Sequence, residues 1–444
     1  MRATSPLSDA DFASRMAALG PFEPAPLLAV AVSGGPDSMA LAWLASRWAG
    51  AVGGRAVAVL VDHRLRRESA AEVACAAAAL ETIGVAAVPR TIAGAPPDAG
   101  RPAWARAERY RLLIEAAREI GALHLLLGHH LDDQAETVLL NLARGSGVKG
   151  LAAMRPIRAE AGLRLLRPLL DVPKARLVAT AAAAGLPTAD DPSNRDPAYA
   201  RTRARRTLAG RSADAQGLAA AAARLAEEDM ALEAWVAQLA ATSVSVSPVG
   251  LIRIDRARLV AAPQAVALRL LARASHAAGG RLAPPRQARA ADALDAVRAD
   301  GDVRRTLGGA LVRADGEQVR FWREATRLPG PIAVADIGSL WDGRFRLRVV
   351  GGALADAVVA PLGYGGLCAV EAAAPRPDWA GAGLPRAALA TLPGLWREGA
   401  LLAAPRFDAA GPGSEAGLAA QDAARLALTA EFRPRRPLAP MMPC

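Results

Sequence analysis

Cysteine is scarce in this chain, and what there is lies far apart. Cys75, Cys368 and Cys444 are odd in number and form no C-x-x-C pair. A disulfide framework and a cysteine-based metal or redox centre are therefore excluded as organising principles. Lysine is nearly absent: of 54 basic residues only Lys149 and Lys174 are lysines. The net charge of +11 is thus carried by arginine. An excess of that sign fits an acidic partner, nucleic acid being the commonest. A merely solvated basic surface is the plainer alternative. No apolar run is long enough to span a bilayer. Met1 to Pro21 mixes acids, Ser and Arg and lacks the apolar core of a signal peptide. No internal repeat is present. The expectation is a reduced, soluble, cytoplasmic protein without membrane attachment. What is present is ordinary for a folded chain: 444 residues, 52% hydrophobic and 22% charged. That length is enough for two or three cores.

Between residues 25 and 212 short apolar runs alternate with amphipathic stretches. The runs are Leu27–Val32, Ala56–Val61, Val85–Val88 and Leu123–Leu127. Helical patterns fall near Asp37–Trp48, Glu68–Ile83, Trp104–Ile120 and Asp132–Leu142. This alternation predicts an α/β domain with a doubly wound, mostly parallel sheet. Residues 1–24 read as an N-terminal extension. Residues 213–327 read as a mostly helical, substrate-binding domain, from the patterns Leu218–Leu239, Pro263–His276 and Pro285–Arg298. Strand-like runs follow near Gly309–Arg313 and Val319–Trp322. Residues 328–444, richer in Gly and Pro, read as a small α+β domain ending in a flexible tail. Within it Trp341-Asp342-Gly343 predicts a turn into a strand whose arginines, Arg344, Arg346 and Arg348, share one face.

Open α/β sheets bind ligands at the carboxyl ends of their strands. Three of the predicted strand ends carry polar residues: Ser33, Asp62-His63 and His129-His130. The first belongs to Ser33-Gly34-Gly35-Pro36-Asp37-Ser38, a strand–glycine turn–helix start. Glycine lets the backbone approach a ligand, and the amides of the turn with the helix N-terminus form an anion cradle. The segment has neither the Gly-Lys-Ser/Thr ending of the Walker loop nor the G-x-G-x-x-G spacing of dinucleotide folds. The bland alternative is a plain strand-to-helix turn. The second chemical segment is Gly128-His129-His130-Leu131-Asp132-Asp133-Gln134-Ala135-Glu136-Thr137. On a helix starting near Asp132, Asp133 and Glu136 share a face. Capping alone accounts for Asp132. It accounts less well for two imidazoles and three carboxylates together.

The ordered set of Ser33–Ser38, Val61-Asp62-His63, Arg106 with Arg109-Tyr110, and His130-x-Asp132-Asp133-Gln134-x-Glu136-Thr137 continues downstream. Arg144-Gly145-Ser146-Gly147, Arg167-Pro168-Leu169-Leu170 and Asp191-Pro192-Ser193-Asn194 follow. This set resembles the tRNA(Ile)-lysidine synthases of the PP-loop ATP pyrophosphatase superfamily, closely over the N-terminal half and loosely beyond it. The resemblance implies a ligase using ATP and Mg²⁺. ATP adenylates the wobble cytidine of a CAU-anticodon isoleucine tRNA, and free L-lysine then displaces AMP. It implies that Ser33, Gly34, Gly35, Pro36 and Ser38 hold pyrophosphate and that Asp37 ligates Mg²⁺. Arg109 and Arg106 supply fixed cations for the α-phosphate, or else form a solvated helix face. His63 lies among the nucleotide contacts, and His130 orients phosphate or carboxylate. Asp133 and Glu136 are the candidates for lysine capture and for the base, with the choice between them open. Arg201 and Arg205 are assigned to tRNA or the lysine carboxylate, against a plain solvated helix. The C-terminal domain is assigned to tRNA contact, and a homodimer is carried as one assembly. Arg64 departs from the family's usual Gly at that position. A PP-loop tRNA thiolase of the 2-thiocytidine type, or another adenylating ligase, is the alternative.

Overall fold

The computed structural model describes residues 5–64, 69–94, 97, 99–189, 200–209, 211–299, 301–338, 340–351, 356–373, 379, 384–407, 427–434 and 438. The Asp191–Asn194 segment, Cys444 and most of the expected tail lie outside them. Two compact units divide the chain, one running to Met230 and the other over Ala231–Met441.

The first unit is built on a six-stranded sheet. In chain order its elements are α1 (Asp9–Ala18), β1 (Leu27–Val32), α2 (Pro36–Ala51), β2 (Arg55–Asp62), α3 (Ser69–Thr82), β3 (Ala86–Thr91) and α4 (Arg101–Glu119). Then come β4 (His124–Leu127), α5 (Leu131–Ala143), α6 (Val148–Leu151), β5 (Ile157–Glu160), β6 (Leu163–Leu166), α7 (Lys174–Ala183) and α8 (Ala200–Leu208). Helix α9 (Ser212–Ser243) follows. The strand order is β3-β2-β1-β4-β6-β5. All neighbours are parallel except the β5–β6 pair. The runs are apolar throughout because both sheet faces are covered. Leu28, Val30 and Val32 enter one core with Met39, Leu41 and Leu44 of α2. Ala29, Val59, Leu125 and Leu127 enter the other with Leu113, Ala116 and Ala117 of α4. That alternation is the period-2 pleat seen from both sides. Phe12 and Met16 of α1 are fully buried in the first core, so the amino-terminal segment contributes to it.

The second unit holds a five-stranded antiparallel sheet in the order β7-β8-β11-β10-β9. Its strands are β7 (Val244–Val246), β8 (Ile252–Asp255), β9 (Val303–Leu307), β10 (Ala310–Asp315) and β11 (Gln318–Arg323). Helices α10 (Arg256–Ala261), α11 (Gln264–Gly279) and α12 (Gln287–Arg298) share its core. Gly308 and Gly309, at φ 60° and 84°, make the two-residue turn between β9 and β10. Positive φ at both positions is the signature of the type I′ hairpin turn, which glycine adopts without cost. Two smaller sheets follow. One joins β12 (Ile332–Ala333), β14 (Val358–Pro361), β15 (Pro393–Arg397) and β16 (Ala400–Ala403). The other joins β13 (Phe345–Val350), β18 (Ala427–Phe432) and β17 (Pro405–Arg406). Helices α13 (Gly363–Ala372) and α14 (Arg386–Leu389) complete the unit.

The expected arginine face on β13 is only partly present. Arg346 and Arg348 are exposed, but Arg344 is buried. Its Nε donates to Asp342 Oδ2 at 2.9 Å and its Nη2 to the Thr391 carbonyl at 2.9 Å. An acid two residues earlier, at φ 49°, turns that guanidinium inward.

Candidate functional site

The chain runs outward from β1 to β2 and β3, then returns to place β4 on the other flank of β1. This reversal is a topological switch point, where open α/β sheets bind ligands. The turn after β1 and the turn after β4 therefore face one crevice.

After β1, Gly34 takes φ 83°. That conformation is costly to any residue with a Cβ. Its carbonyl accepts the Ala189 N–H at 2.9 Å. Gly35 caps α2 and Pro36 occupies its first turn. A missing N–H costs nothing there. Ser38 Oγ accepts from the Ser33 N–H at 3.1 Å and donates to the Gly35 carbonyl at 3.1 Å. The loop is thus closed by its own serine, while the first amides of α2 have no intrahelical carbonyl to bond. Asp37 sits in that first turn. Its Oδ1 is buried without a partner among the described residues.

After β4, His130 caps α5 and is 3% exposed. Its N–H donates to Asp133 Oδ2 at 3.2 Å. Its Nε2 lies 3.5 Å from both Asp37 Oδ2 and Asp133 Oδ2, and its Nδ1 3.5 Å from Asp132 Oδ2. At that range these are charge contacts rather than well-formed hydrogen bonds. Burial opposes a charge on this ring, but Asp132, Asp37 and Asp133 outweigh it and raise the imidazole to about 10. Opposite charges close by favour the charged form. Contact with His130 holds Asp132 down to about 2 against its own burial.

One turn along α5, Glu136 is 1% exposed. Burial pushes its carboxyl up, and Arg205 opposes that shift with Nε at 2.7 Å from Oε1. Burial works against the Arg205 charge, and the bond to Glu136 more than restores it. Arg205 comes from α8, whose Leu208 packs with Leu131, Ala135 and Ala215. An apolar contact between α5 and α8 therefore delivers an arginine to a buried acid.

The opposite flank is cationic. The Arg106 and Arg109 guanidinium groups lie 5.1 Å and 5.8 Å from the Tyr110 ring centroid. Both fall within the range of a cation–π contact. Burial and then Arg106 lower the Arg109 guanidinium, and its Nε has no partner among the described residues. Arg167 is buried and donates to the Arg155 carbonyl at 2.7 Å. His129 faces Asp133 and the charges of Arg167, Arg106 and Arg109. Burial first, and those arginines after it, push its ring down to about 3 against Asp133, so it is neutral. Arg201 is exposed at the start of α8, near enough to act electrostatically on Arg109 and Glu136.

The structure thus brings Ser33–Ser38, Asp37, Arg106, Arg109, His130, Asp133, Glu136, Arg201 and Arg205 to one region. His63 follows β2 at the same sheet edge. Beside it Arg64 takes φ 50°, and its N–H donates to Asp62 Oδ1 at 2.9 Å. The departure from Gly therefore does strain the backbone, by about 1–2 kcal/mol, with Asp62 holding the turn. Sequence reasoning did not single out His129 and Arg167 as site residues. Both lie within quoted motifs, His129 beside the acids of Gly128–Thr137 and Arg167 at the head of Arg167–Leu170, but neither was given a role, and only the fold aims them here.

In the second unit a separate cavity of about 380 Å³ is lined by Arg281, Arg289, Arg327, Thr306, Thr326 and Glu324. Among the described residues no helix is long and apolar enough to cross a membrane.

Comparison with known proteins agrees with this geometry. A PP-loop domain family matches residues 9–211. A tRNA(Ile)-lysidine synthase of Ruegeria pomeroyi is 37% identical over 389 residues, covering 86% of this chain and 89% of that protein. Another, of Bradyrhizobium sp. strain BTAi1, is 42% identical over 325 residues, covering 68% and 91%. A third, of Methylobacterium nodulans, is 43% identical over 339 residues, covering 74% and 99%. With a PP-loop cradle at the switch point and relatives matched along nearly their whole length, the chain belongs to the tRNA(Ile)-lysidine synthase family.

Proposed function

We propose that this protein joins free L-lysine to the wobble cytidine of a CAU-anticodon isoleucine tRNA, at the expense of ATP, and thereby converts its decoding from AUG to AUA. The observation that carries the reading is the meeting of an anion cradle with a carboxylate-bearing helix start across one crevice. One corner suits a triphosphate and the other an amine.

Two chemical steps are required. The cytidine 2-oxygen attacks the α-phosphorus of ATP, and the bond to the bridging oxygen breaks with its electron pair leaving on pyrophosphate. The lysine amine then attacks the activated ring carbon and AMP departs. In the first step the amides from Ser33 to Gly35 and Ser38 hold the leaving pyrophosphate, while Arg109 and Arg106 face charge growing at the α-phosphate. Mg²⁺ fits Asp37, whose buried Oδ1 lacks a partner among the described residues. Mg²⁺ characteristically takes one or two carboxylates and otherwise phosphate and water, so one such ligand suffices; the ion supplies charge neutralisation at the phosphates. In the second step Asp133 and Glu136 receive the amino groups, and one of them accepts the proton that frees the attacking amine. Arg205 neutralises Glu136 until substrate competes for it. His130, protonated between three acids, keeps Asp37 and Asp133 from repelling one another.

Unstacking a target base costs roughly a few kcal/mol, so phosphate contacts elsewhere on the tRNA are needed to offset it. The arginines around the cavity of the second unit suit that purpose. The protein would act in the cytoplasm, where free lysine, ATP and tRNA meet. The test is incubation with labelled lysine, ATP and CAU-anticodon tRNA. Label entering the tRNA only with ATP is expected; ATP-dependent adenylation without lysine incorporation would instead favour another adenylating reaction.

A further inference from the structure

One charged side chain at the site has no part in these roles. Lys174 is one of two lysines in a chain that otherwise places arginine at its basic positions. It opens α7 behind Pro173, and its N–H donates to Asp132 Oδ2 at 2.9 Å. Its Nζ lies 3.8 Å from Asp37 Oδ2, the same oxygen that faces His130. The side chain is 40% exposed, and the 3.8 Å separation is a charge contact longer than a hydrogen bond. An acid on α5 therefore fixes the backbone of Lys174, while its head rests loosely on the aspartate beside the anion cradle. Arginine would bring a broad planar fork to this spot. Lysine brings a compact, rotatable point charge suited to phosphate oxygens.

We propose that Lys174 is a pyrophosphate-binding residue, which leaves Asp37 for the β- and γ-phosphate oxygens when nucleotide fills the cradle. The proposal rests on the reading of Ser33–Ser38 as a triphosphate site. As the α-phosphorus–oxygen bond breaks, the electron pair settles on pyrophosphate. The ammonium opposes that growing charge, keeps its proton throughout, and remains with the product until it leaves. Asp37 would hold a cation through the same carboxylate, and Lys174, no longer needed there, would be free to meet the phosphate oxygens.

The scarcity of lysine supplies the test. Trace amine labelling of the full-length protein, read by peptide mass spectrometry, compares Lys174 with Lys149 as an internal reference. Samples contain Mg²⁺ with inorganic pyrophosphate, with AMP, or with neither. Pyrophosphate is expected to lower labelling of Lys174 several-fold and leave Lys149 unchanged, while AMP leaves both unchanged. No protection, or equal protection by AMP, overturns the proposal. In pyrophosphate-exchange kinetics, Lys174→Gln should raise the KM for pyrophosphate by about tenfold, as expected for a lost charged hydrogen bond. Lys174→Arg should recover part of that loss, with the unfolding midpoint and tRNA affinity of both variants unchanged. An unaltered pyrophosphate KM in Lys174→Gln also overturns it. Labelling requires neither tRNA nor lysine. Protection therefore survives if the transferred group is not lysine, and lost protection with lysine incorporation intact condemns the role of Lys174 alone.

Discussion

Two clusters in this molecule bury the same kinds of charge and treat them oppositely. In the second unit Asp342 binds two buried arginines. Arg323 reaches both its carboxylate oxygens, at 2.9 and 3.1 Å, and directs its remaining donors to the carbonyls of Gly309, Glu324 and Arg327. Arg344 takes Asp342 and the Thr391 carbonyl. Burial presses the Arg344 guanidinium down to about 10, with Asp342 opposing the shift and Arg323 adding to it. In the first unit Asp37 Oδ1, His129 Nδ1, Arg109 Nε and Arg167 Nε are buried without partners among the described residues. A cluster that closes on itself fastens loops together. A cluster that leaves donors and acceptors unmatched stores binding capacity, because a ligand that matches them recovers their desolvation cost.

Breaking the closed cluster should have the largest effect on folding. Asp342→Ala leaves two buried guanidinium groups unpaired and should destabilise the second unit by about 3–5 kcal/mol, measured by denaturant unfolding. A change below about 1 kcal/mol would mean that the cluster is hydrated and the contrast false. In the open cluster the expectation reverses. Asp37→Asn should leave stability and tRNA binding nearly intact but slow tRNA-dependent ATP–pyrophosphate exchange by ~10²-fold or more. Exchange at the original rate would remove Asp37 from any metal role.

Smaller effects sharpen the picture. Glu136→Gln should raise the KM for lysine about tenfold while changing that for ATP little. Equal shifts would move Glu136 to the nucleotide. For His130 the folded value of about 10 lies above the ordinary 6.5. Its stabilisation is therefore complete below pH 6.5 and lost as pH rises toward 10. In EDTA and without nucleotide, the thermal midpoint should fall over that window, and His130→Gln should flatten the fall. A midpoint already flat in the unsubstituted protein would show the ring to be neutral. The smallest effect concerns the basic cavity of the second unit. Arg327→Ala should weaken tRNA binding uniformly and reduce the salt slope by about 1. An unchanged slope would place the tRNA phosphates elsewhere.

The parallel core was legible because strands buried on both faces are unbroken apolar runs, and β1, β2 and β4 fall within a residue of the expected bounds. The last sheet pair, β5 and β6, was not. Each is four residues long, and β5 carries Arg158 and Glu160. The same applies to β7, β8 and β9, at three to five residues, which gain their strand character only from paired neighbours. Arg344 looked like part of a solvent face because alternation cannot show that a preceding aspartate turns back on it.

The candidate site divides along a similar line. The glycine turn and the acids of α5 are local features, since helix caps and positive φ depend on residues within a few positions. The sequence therefore determined both corners of the crevice and the family they resemble. The pairing of Glu136 with Arg205, 69 residues apart, was decided by tertiary structure alone, as was the approach of Lys174 to Asp37. Such contacts depend on which strand lies beside which and on how α5, α7 and α8 pack. Side-chain charge has no periodicity from which that packing can be read.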